Sequence, residues 1–238
     1  MPNTLDAVQT HRPGSGFLAV RAVIFDMDGL MFDTERIAQV AWYRALADCG
    51  FAVTDDVYAT VIGRTAPDTR AIFVAALGPD LPIDTIETAM SCHFSELLEP
   101  APPLKPGLLG LLDDIERFGL RTAVASSTAN SEVRRRLGVS GLDGRFEVVV
   151  GGDEVNAGKP EPDVFLRAGQ LLGVAATQCV VLEDSEAGIR AASAAGMQTV
   201  LVPDMIAPSP LCSELATHVV SSLAEVGELL RNWELARI

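Results

Sequence analysis

Val23-Ile24-Phe25-Asp26-Met27-Asp28-Gly29 is a short apolar run that ends in two carboxylates one residue apart, followed by a glycine. β-Branched and aromatic residues bounded by polar ones read as a buried strand. Asp26 then stands at the strand's C-terminal end, where open α/β sheets place their ligands. Two acids this close repel, and a fold that keeps both ionised supplies a cation. Taken alone, the run fits equally a strand followed by an Asp-Gly turn. The rest of the chain decides between the two.

Upstream, Met1 to Gly16 is polar and holds Pro2, Pro13 and Gly14, which reads as a loose tail without the apolar stretch of a signal peptide. The first strand is expected from Phe17 to Asp26, and Leu30 to Asp33 is a short connection. Thr34 reads as a helix N-cap with Glu35 favouring the helix dipole. Ile37, Val40, Ala41, Ala45 and Leu46 then follow at helical spacing up to Gly50. Asp55 to Ile62, Pro67 to Leu77 and Ile83 to Leu98 read as further helices with no strand between them.

At Pro100-Ala101-Pro102-Pro103 the pattern changes. Helices are expected over Pro106 to Phe118, Asn130 to Leu137, Glu161 to Leu172, Ser185 to Ala195 and about Leu223 to Leu230. Strands are expected over Arg121 to Ala125, Phe146 to Val150, Cys179 to Leu182 and Thr199 to Val202, with a short one at Val219-Val220. Strands alternating with helices imply right-handed βαβ units. The expected fold is therefore α/β, a doubly wound, Rossmann-like parallel sheet with an all-helical segment inserted after the first strand. The expected divisions are a tail over 1–17, a core over 18–33 and 104–238, and a helical insertion over 34–103.

The bulk composition narrows the function. Of 238 residues 48% are hydrophobic, ample for a core, and 18 basic against 32 acidic residues give a net charge of −14. That balance argues against nucleic acid or an anionic membrane surface as a partner. Cys49, Cys92, Cys179 and Cys212 are scattered and read as small buried hydrophobes, not as a disulfide framework or zinc site. His11, His93 and His218 are too few for a metal cluster. No apolar run reaches the roughly 18–20 residues of a membrane span. The expected compartment is a reducing cytoplasm. Nothing in the sequence sets an oligomeric state.

Three further sites fall where the second half's strands end. Ser126-Ser127-Thr128 at a strand-to-helix turn offers hydroxyls and free backbone N–H groups to an anion, although such clusters also simply cap helices. Gly158-Lys159-Pro160-Glu161-Pro162-Asp163 frames one lysine in a stiff turn, able to offset acids and to grip a phosphate, although Pro-Glu-Pro is also a good helix start. Glu183-Asp184 follows Val180-Val181-Leu182, and acids there are paired, solvated or metal-bound; a cap on the next helix is the alternative for Asp184. In one parallel sheet these sites converge on one edge. An all-oxygen acidic cluster suits Mg²⁺, a hard cation that bridges to phosphate, and carboxylates serve as nucleophiles through aspartyl-phosphates.

Together the motifs resemble the haloacid dehalogenase superfamily, in the branch with a helical cap inserted after the first strand. Phe25-Asp26-Met27-Asp28-Gly29 is similar to its first motif, Ser126 to its second, Lys159 to its third and Glu183-Asp184-Ser185-Glu186-Ala187-Gly188-Ile189 to its fourth. The resemblance runs in motif order from about Arg21 to the C-terminal helix. It implies that Asp26 attacks phosphorus and that Asp28 protonates the leaving oxygen and then activates water. It implies Mg²⁺ on Asp26, the Asp28 backbone carbonyl and Asp184, with Glu183 as a further ligand or just behind. Ser126 and Lys159 would hold the phosphoryl oxygens, with Ser127 and Thr128 beside them.

A carboxylate at Asp28 favours phosphoryl chemistry over dehalogenation, whose members lack an acid there. The β-phosphoglucomutases of this branch use an arginine, a histidine and a lysine at positions that correspond to Ala66, Ala38 and Ala129 here. A water-using phosphatase needs none of them. Asp33-Thr34-Glu35-Arg36 and Ala195-Gly196-Met197 resemble sugar-phosphate and pseudouridine-phosphate phosphatases. The expected partner is a small phosphorylated metabolite. Arg64, Thr65 and His93 are the insertion's polar candidates for the cleft, a surface charge being the alternative for Arg64 and an ordinary helix position for His93. The competing class is a phospho-accepting receiver domain, against which the second acid, the insertion and the chain length all count.

Overall fold

The structure is a computed structural model and describes residues 20–235, with side chains up to 233. The expected tail and the beginning of the first strand at Phe17 lie outside the described residues. The strands are β1 (Ala22–Phe25), β2 (Arg121–Ala125), β3 (Val148–Val150), β4 (Cys179–Glu183), β5 (Gln198–Leu201) and β6 (His218–Val219). They form one fully parallel sheet in the order β3-β2-β1-β4-β5-β6. The chain winds outward from β1 in one direction and resumes beside it with β4. The C-terminal ends of β1 and β4 therefore flank the switch point where such sheets bind ligands.

Alternation along each strand builds two cores. Val23, Phe25, Val124, Val180, Leu182 and Val200 point to one face, against Leu108, Leu111 and Ile115 of α5 (Leu108–Arg117), Val133 and Leu137 of α6 (Asn130–Val139), and Val226 and Leu230 of α10 (Leu223–Leu235). Ala22, Ile24, Ala123, Ala125 and Val181 point to the other, against Val164, Phe165 and Ala168 of α7 (Asp163–Leu172) and Ala191 and Ala192 of α8 (Glu186–Ala194). This period-two division is what a strand's pleat imposes, and burial on both faces is why the strands read as continuous apolar runs.

Four helices lie between β1 and α5: α1 (Thr34–Asp48), α2 (Asp55–Ala59), α3 (Ala66–Leu77) and α4 (Ile83–Leu97). They bury a separate apolar cluster that includes Leu46, Tyr58, Phe73 and Ile86. The way out and the way back are pinned side by side: Asp33 N–H donates to Pro103 O at 2.9 Å, and Lys105 N–H to Met31 O at 2.9 Å. Among the described residues no helix is long and apolar enough to cross a membrane.

Several local expectations are corrected. Thr34 is not the N-cap of α1. Asp33 occupies that place without a side-chain cap, and the buried Thr34 Oγ1 instead accepts from Gly29 N–H at 3.1 Å. The helix expected from Pro106 begins at Leu108, because Gly107, at φ +89°, makes the turn into it. The helix expected from Glu161 begins at Asp163. Phe146 precedes β3 and packs edge-on against Phe25, 5.5 Å between ring centroids. The short α9 (Pro210–Leu215) was not expected, although Ser209 as N-cap and Pro210 at the first helical position spell a start. Cys179 and Cys212 are buried as expected, Cys49 is half-buried and Cys92 is exposed, and all four are free thiols.

Candidate active site

The end of β1 delivers Asp26, and the end of β4 delivers Glu183 and then Asp184. Carboxylate oxygens of these three residues lie within 4.8 Å of one another. Lys159, on the connection between β3 and α7, reaches into the group. Its Nζ donates to Asp26 Oδ1, to Glu183 Oε1 at 2.6 Å and to Ala125 O at 3.2 Å. The ammonium also lies 4.8 Å from the centre of the Phe165 ring. Asp26 and Glu183, far apart in sequence, thus meet on one buried ammonium, with Asp184 in the same group of carboxylates.

The turns at the strand ends set the orientations. Glu183 Oε2 accepts from Asp184 N–H at 3.1 Å, Ser185 N–H at 3.0 Å and Ser185 Oγ at 2.9 Å. Ser185, not Asp184, caps α8, accepting from Gly188 N–H at 3.1 Å. That leaves the Asp184 carboxylate facing the cluster. Gly29, at φ +81°, lies so close to it that a Cβ there would collide with Asp184 Oδ2. Gly29 thus provides both the left-handed turn after Asp28 and the room for Asp184.

Burial dominates the electrostatics. It pushes Asp26 up to about 8, with Glu183 and Asp28 adding to the rise and Lys159 opposing it. Burial also holds Asp184 well above the usual carboxylate range, reinforced by Glu183, Asp26, Glu35 and Asp204. For Lys159 burial works against the charge, but Asp26 and Glu183 outweigh it and the ammonium stays charged. One lysine does not balance three carboxylates. An oxygen-only donor set with excess negative charge is what a hard divalent cation requires. Asp26, Glu183 and Asp184 therefore fit a hard divalent cation, with Glu183 also shared with the lysine.

Asp28 occupies a different environment. Its side chain is not part of the three-carboxylate group. Asp28 Oδ2 accepts from Thr128 Oγ1 at 2.9 Å and Oδ1 from Arg136 Nη1 at 2.6 Å. Ser126 is buried at the end of β2 and its Oγ accepts from Thr128 N–H at 3.1 Å, while Ser127 is exposed beside it. Arg64 is exposed on the turn after α2, and no contact joins it to the cluster among the described residues. His93 bonds Asp48 at 2.7 Å, tying α4 to α1.

Two participants escaped the sequence reading. Arg136 was not singled out. Glu35, read as a helix-dipole residue and as part of the Asp33-Thr34-Glu35-Arg36 resemblance, is half-buried and raised by burial, Asp28 and Asp204, with Lys105 opposing. An acid in the first turn of a helix leaving the Asp28 loop was the available signal for Glu35.

Residues 23–202 match the haloacid dehalogenase-like hydrolase family. The chain belongs to this family. The matched span runs from β1 to the residue after β5 and takes in every member of the cluster. The hydrolase is 32% identical over 185 residues to the phosphorylated carbohydrates phosphatase of Thermotoga maritima, covering 76% of this chain and 84% of that one. It is 29% identical over 228 residues to the β-phosphoglucomutase of Bacillus subtilis, covering 92% and 98% respectively. Among solved structures, a haloacid dehalogenase family hydrolase of Deinococcus radiodurans with bound phosphate and sodium superposes with a TM-score of 0.76. That pair is 28% identical, and 91% of this chain and 97% of that one are covered.

A measurable consequence follows for the metal-free hydrolase. Between the ordinary value of 3.8 and about 8, Asp26 binds a proton in the folded state that it releases on unfolding. Stability therefore falls as pH rises across that window. Glu132, drawn down to about 2 chiefly by Arg135 and despite burial, acts with the opposite sign but only below its ordinary 4.5. Thermal melts in chelator are expected to show Tm falling by several degrees from pH 5 to pH 8, at roughly 2–4 °C per kcal/mol for this size. Added Mg²⁺ should raise Tm, and more at pH 8 than at pH 5, because cation and protons compete. A flat pH dependence with no Mg²⁺ effect would contradict this electrostatic description.

Proposed function

We propose that this hydrolase is a Mg²⁺-dependent phosphatase of small phosphate monoesters, of the sugar- or nucleoside-phosphate class, acting through an aspartyl-phosphate on Asp26. The observation that carries the reading is the division of two neighbouring acids between two environments. Asp26 sits against Lys159 among the metal-type carboxylates, and Asp28 sits apart on Thr128 and Arg136. Carboxylates held in different surroundings take different roles.

Mg²⁺, held by Asp26, Asp184 and the Asp28 backbone carbonyl with Glu183 adjoining, would neutralise charge on the phosphoryl oxygens. The Asp26 carboxylate forms a bond to phosphorus as the ester P–O bond breaks. Asp28, in its protonated form, gives its proton to the leaving alkoxide and becomes a carboxylate. It then takes a proton from water as that water bonds to the same phosphorus, and Asp26 departs as carboxylate with release of inorganic phosphate. Lys159 holds a phosphoryl oxygen and favours the ionised form of Asp26, and Ser126 and Ser127, at the turn that includes Thr128, donate to the others. Residues 34–103 act as a cap over a core drawn from 18–33 and 104–238. Arg64 is the cap's candidate for the far end of the ester.

The β-phosphoglucomutase relative supports a second reading, phosphoryl return to an isomeric sugar hydroxyl. Ala38, Ala66 and Ala129 stand where the resemblance puts that enzyme's polar residues, which favours water as acceptor. The test is phosphate release from a panel of sugar phosphates and nucleoside monophosphates with Mg²⁺. Release that stops in excess chelator is expected. Isomerised sugar phosphate without free phosphate, under a bisphosphate activator, would instead establish the mutase.

A further inference from the structure

Arg136 is a buried charge that takes no step of its own in the chemistry described so far. It lies on α6 and is 6% exposed. Its Nη1 donates to Asp28 Oδ1 at 2.6 Å and its Nε to Glu132 Oε1 at 2.7 Å. The guanidinium faces the ring of Phe94 on α4, 5.9 Å from its centre. Glu132 is shared with Arg135, at 2.8 and 2.9 Å, and Arg135 reaches Glu99, where the insertion returns, at 3.4 Å. Thr128 holds the second oxygen of Asp28. Both oxygens of this carboxylate are therefore fixed, and one of the two donors is itself braced by the insertion.

Packing alone does not call for an arginine here. α6 turns Val133 and Leu137 into the core, and Arg136 lies next to them. A buried ion pair replaced by apolar residues is often neutral or stabilising, so the guanidinium's desolvation finds its return in what it holds. What it holds is a carboxylate with a direction. A proton donor or acceptor misplaced by about 1 Å costs on the order of 10²-fold in rate.

We infer that Arg136 is a positioning residue for Asp28, aiming its carboxylate at the leaving oxygen and then at water, with Phe94 and Glu99 tying that aim to the seating of the helical insertion. The inference rests on the acid–base role proposed for Asp28.

A double-mutant cycle tests it, with phosphate release measured in Mg²⁺ on the best ester of the panel. Arg136→Met should lower kcat by about tenfold to a hundredfold with KM changed less than about twofold. Asp28→Asn alone should lower kcat by roughly 10²–10⁴. In the Asp28→Asn background, Arg136→Met should change kcat by less than about twofold, because its target is gone. Arg136→Lys, which can still donate to Asp28, should recover part of the loss. If Arg136→Met does not fold, the same cycle is run with Glu132→Ala, which keeps Arg136 and removes its brace, and a smaller loss that again vanishes beside Asp28→Asn is expected. Equal fold losses in both backgrounds, or an unchanged kcat, overturn the positioning role alone. Full activity in Asp28→Asn overturns both it and the acid–base assignment.

Discussion

Asp26→Asn is expected to release no measurable phosphate from any ester that the unaltered chain hydrolyses, a loss of more than ~10⁴-fold, as when a covalent nucleophile is removed. The amide is nearly the same shape but cannot attack phosphorus. The loss will not come from unfolding. Asp26 is the member of the cluster pushed up to about 8 by burial, and neutralising it relieves the repulsion from Glu183 and Asp28. Lys159 keeps Glu183 and the Ala125 carbonyl as partners. In chelator at pH 8 the variant should melt no lower than the parent chain. Activity within tenfold of the parent would remove Asp26 from the chemistry.

Lys159→Met carries the second-largest effect, and it falls on stability and rate together. The lysine is the ammonium that meets both Asp26 and Glu183. Removing one partner of a buried charge group costs about 3–5 kcal/mol, because the remaining charges stay unpaired. The metal-free variant should therefore lose roughly 6–20 °C in Tm, at roughly 2–4 °C per kcal/mol for this size. Asp26 should rise further without its counter-charge, leaving less carboxylate to attack at pH 7, and the phosphoryl donor proposed for this position disappears as well. A loss of more than ~10³ in kcat is expected. Mg²⁺ should restore part of the Tm but little of the rate. An unchanged melting curve in chelator would show that the carboxylates are balanced in another way.

Much of this was legible in the chain because the features are local. β2 spans Arg121–Ala125, the same residues that the apolar run picks out. Asp26, Glu183 and Asp184 were recognisable because each stands where a buried strand ends or just beyond it, and Lys159 because a stiff Gly-Lys-Pro turn frames it on the connection that follows β3. A parallel sheet brings such ends to one edge whatever their separation in sequence. What escaped depends on long-range contacts. Thr34 has the composition of an N-cap, but Gly29 N–H competes for its hydroxyl, and that bond exists only once the Asp28 loop has folded back. Arg136 sits in Arg134-Arg135-Arg136, where three like residues offer no hint of which one turns inward, and its partner Asp28 lies 108 residues away. Glu35 reads as a helix-dipole residue because it stands in a first helical turn; that Asp28 and Asp204 also raise it depends on the folded loops around it. The ion network of Asp33, Arg36, Lys105 and Asp204 is likewise assembled from four connections.

The family places the chain among hydrolases, and the geometry explains why its motifs are spaced as they are. The proposed reaction passes through a covalent bond between Asp26 and phosphorus. The direct measurement is mass spectrometry of peptides from enzyme quenched in acid within milliseconds of mixing with an ester from the panel and Mg²⁺. A phosphoryl adduct on the peptide that carries Asp26, absent in Asp26→Asn and absent when chelator replaces Mg²⁺, is the predicted result. Turnover at full rate with no adduct at any quench time, or an adduct on a different residue, would contradict it.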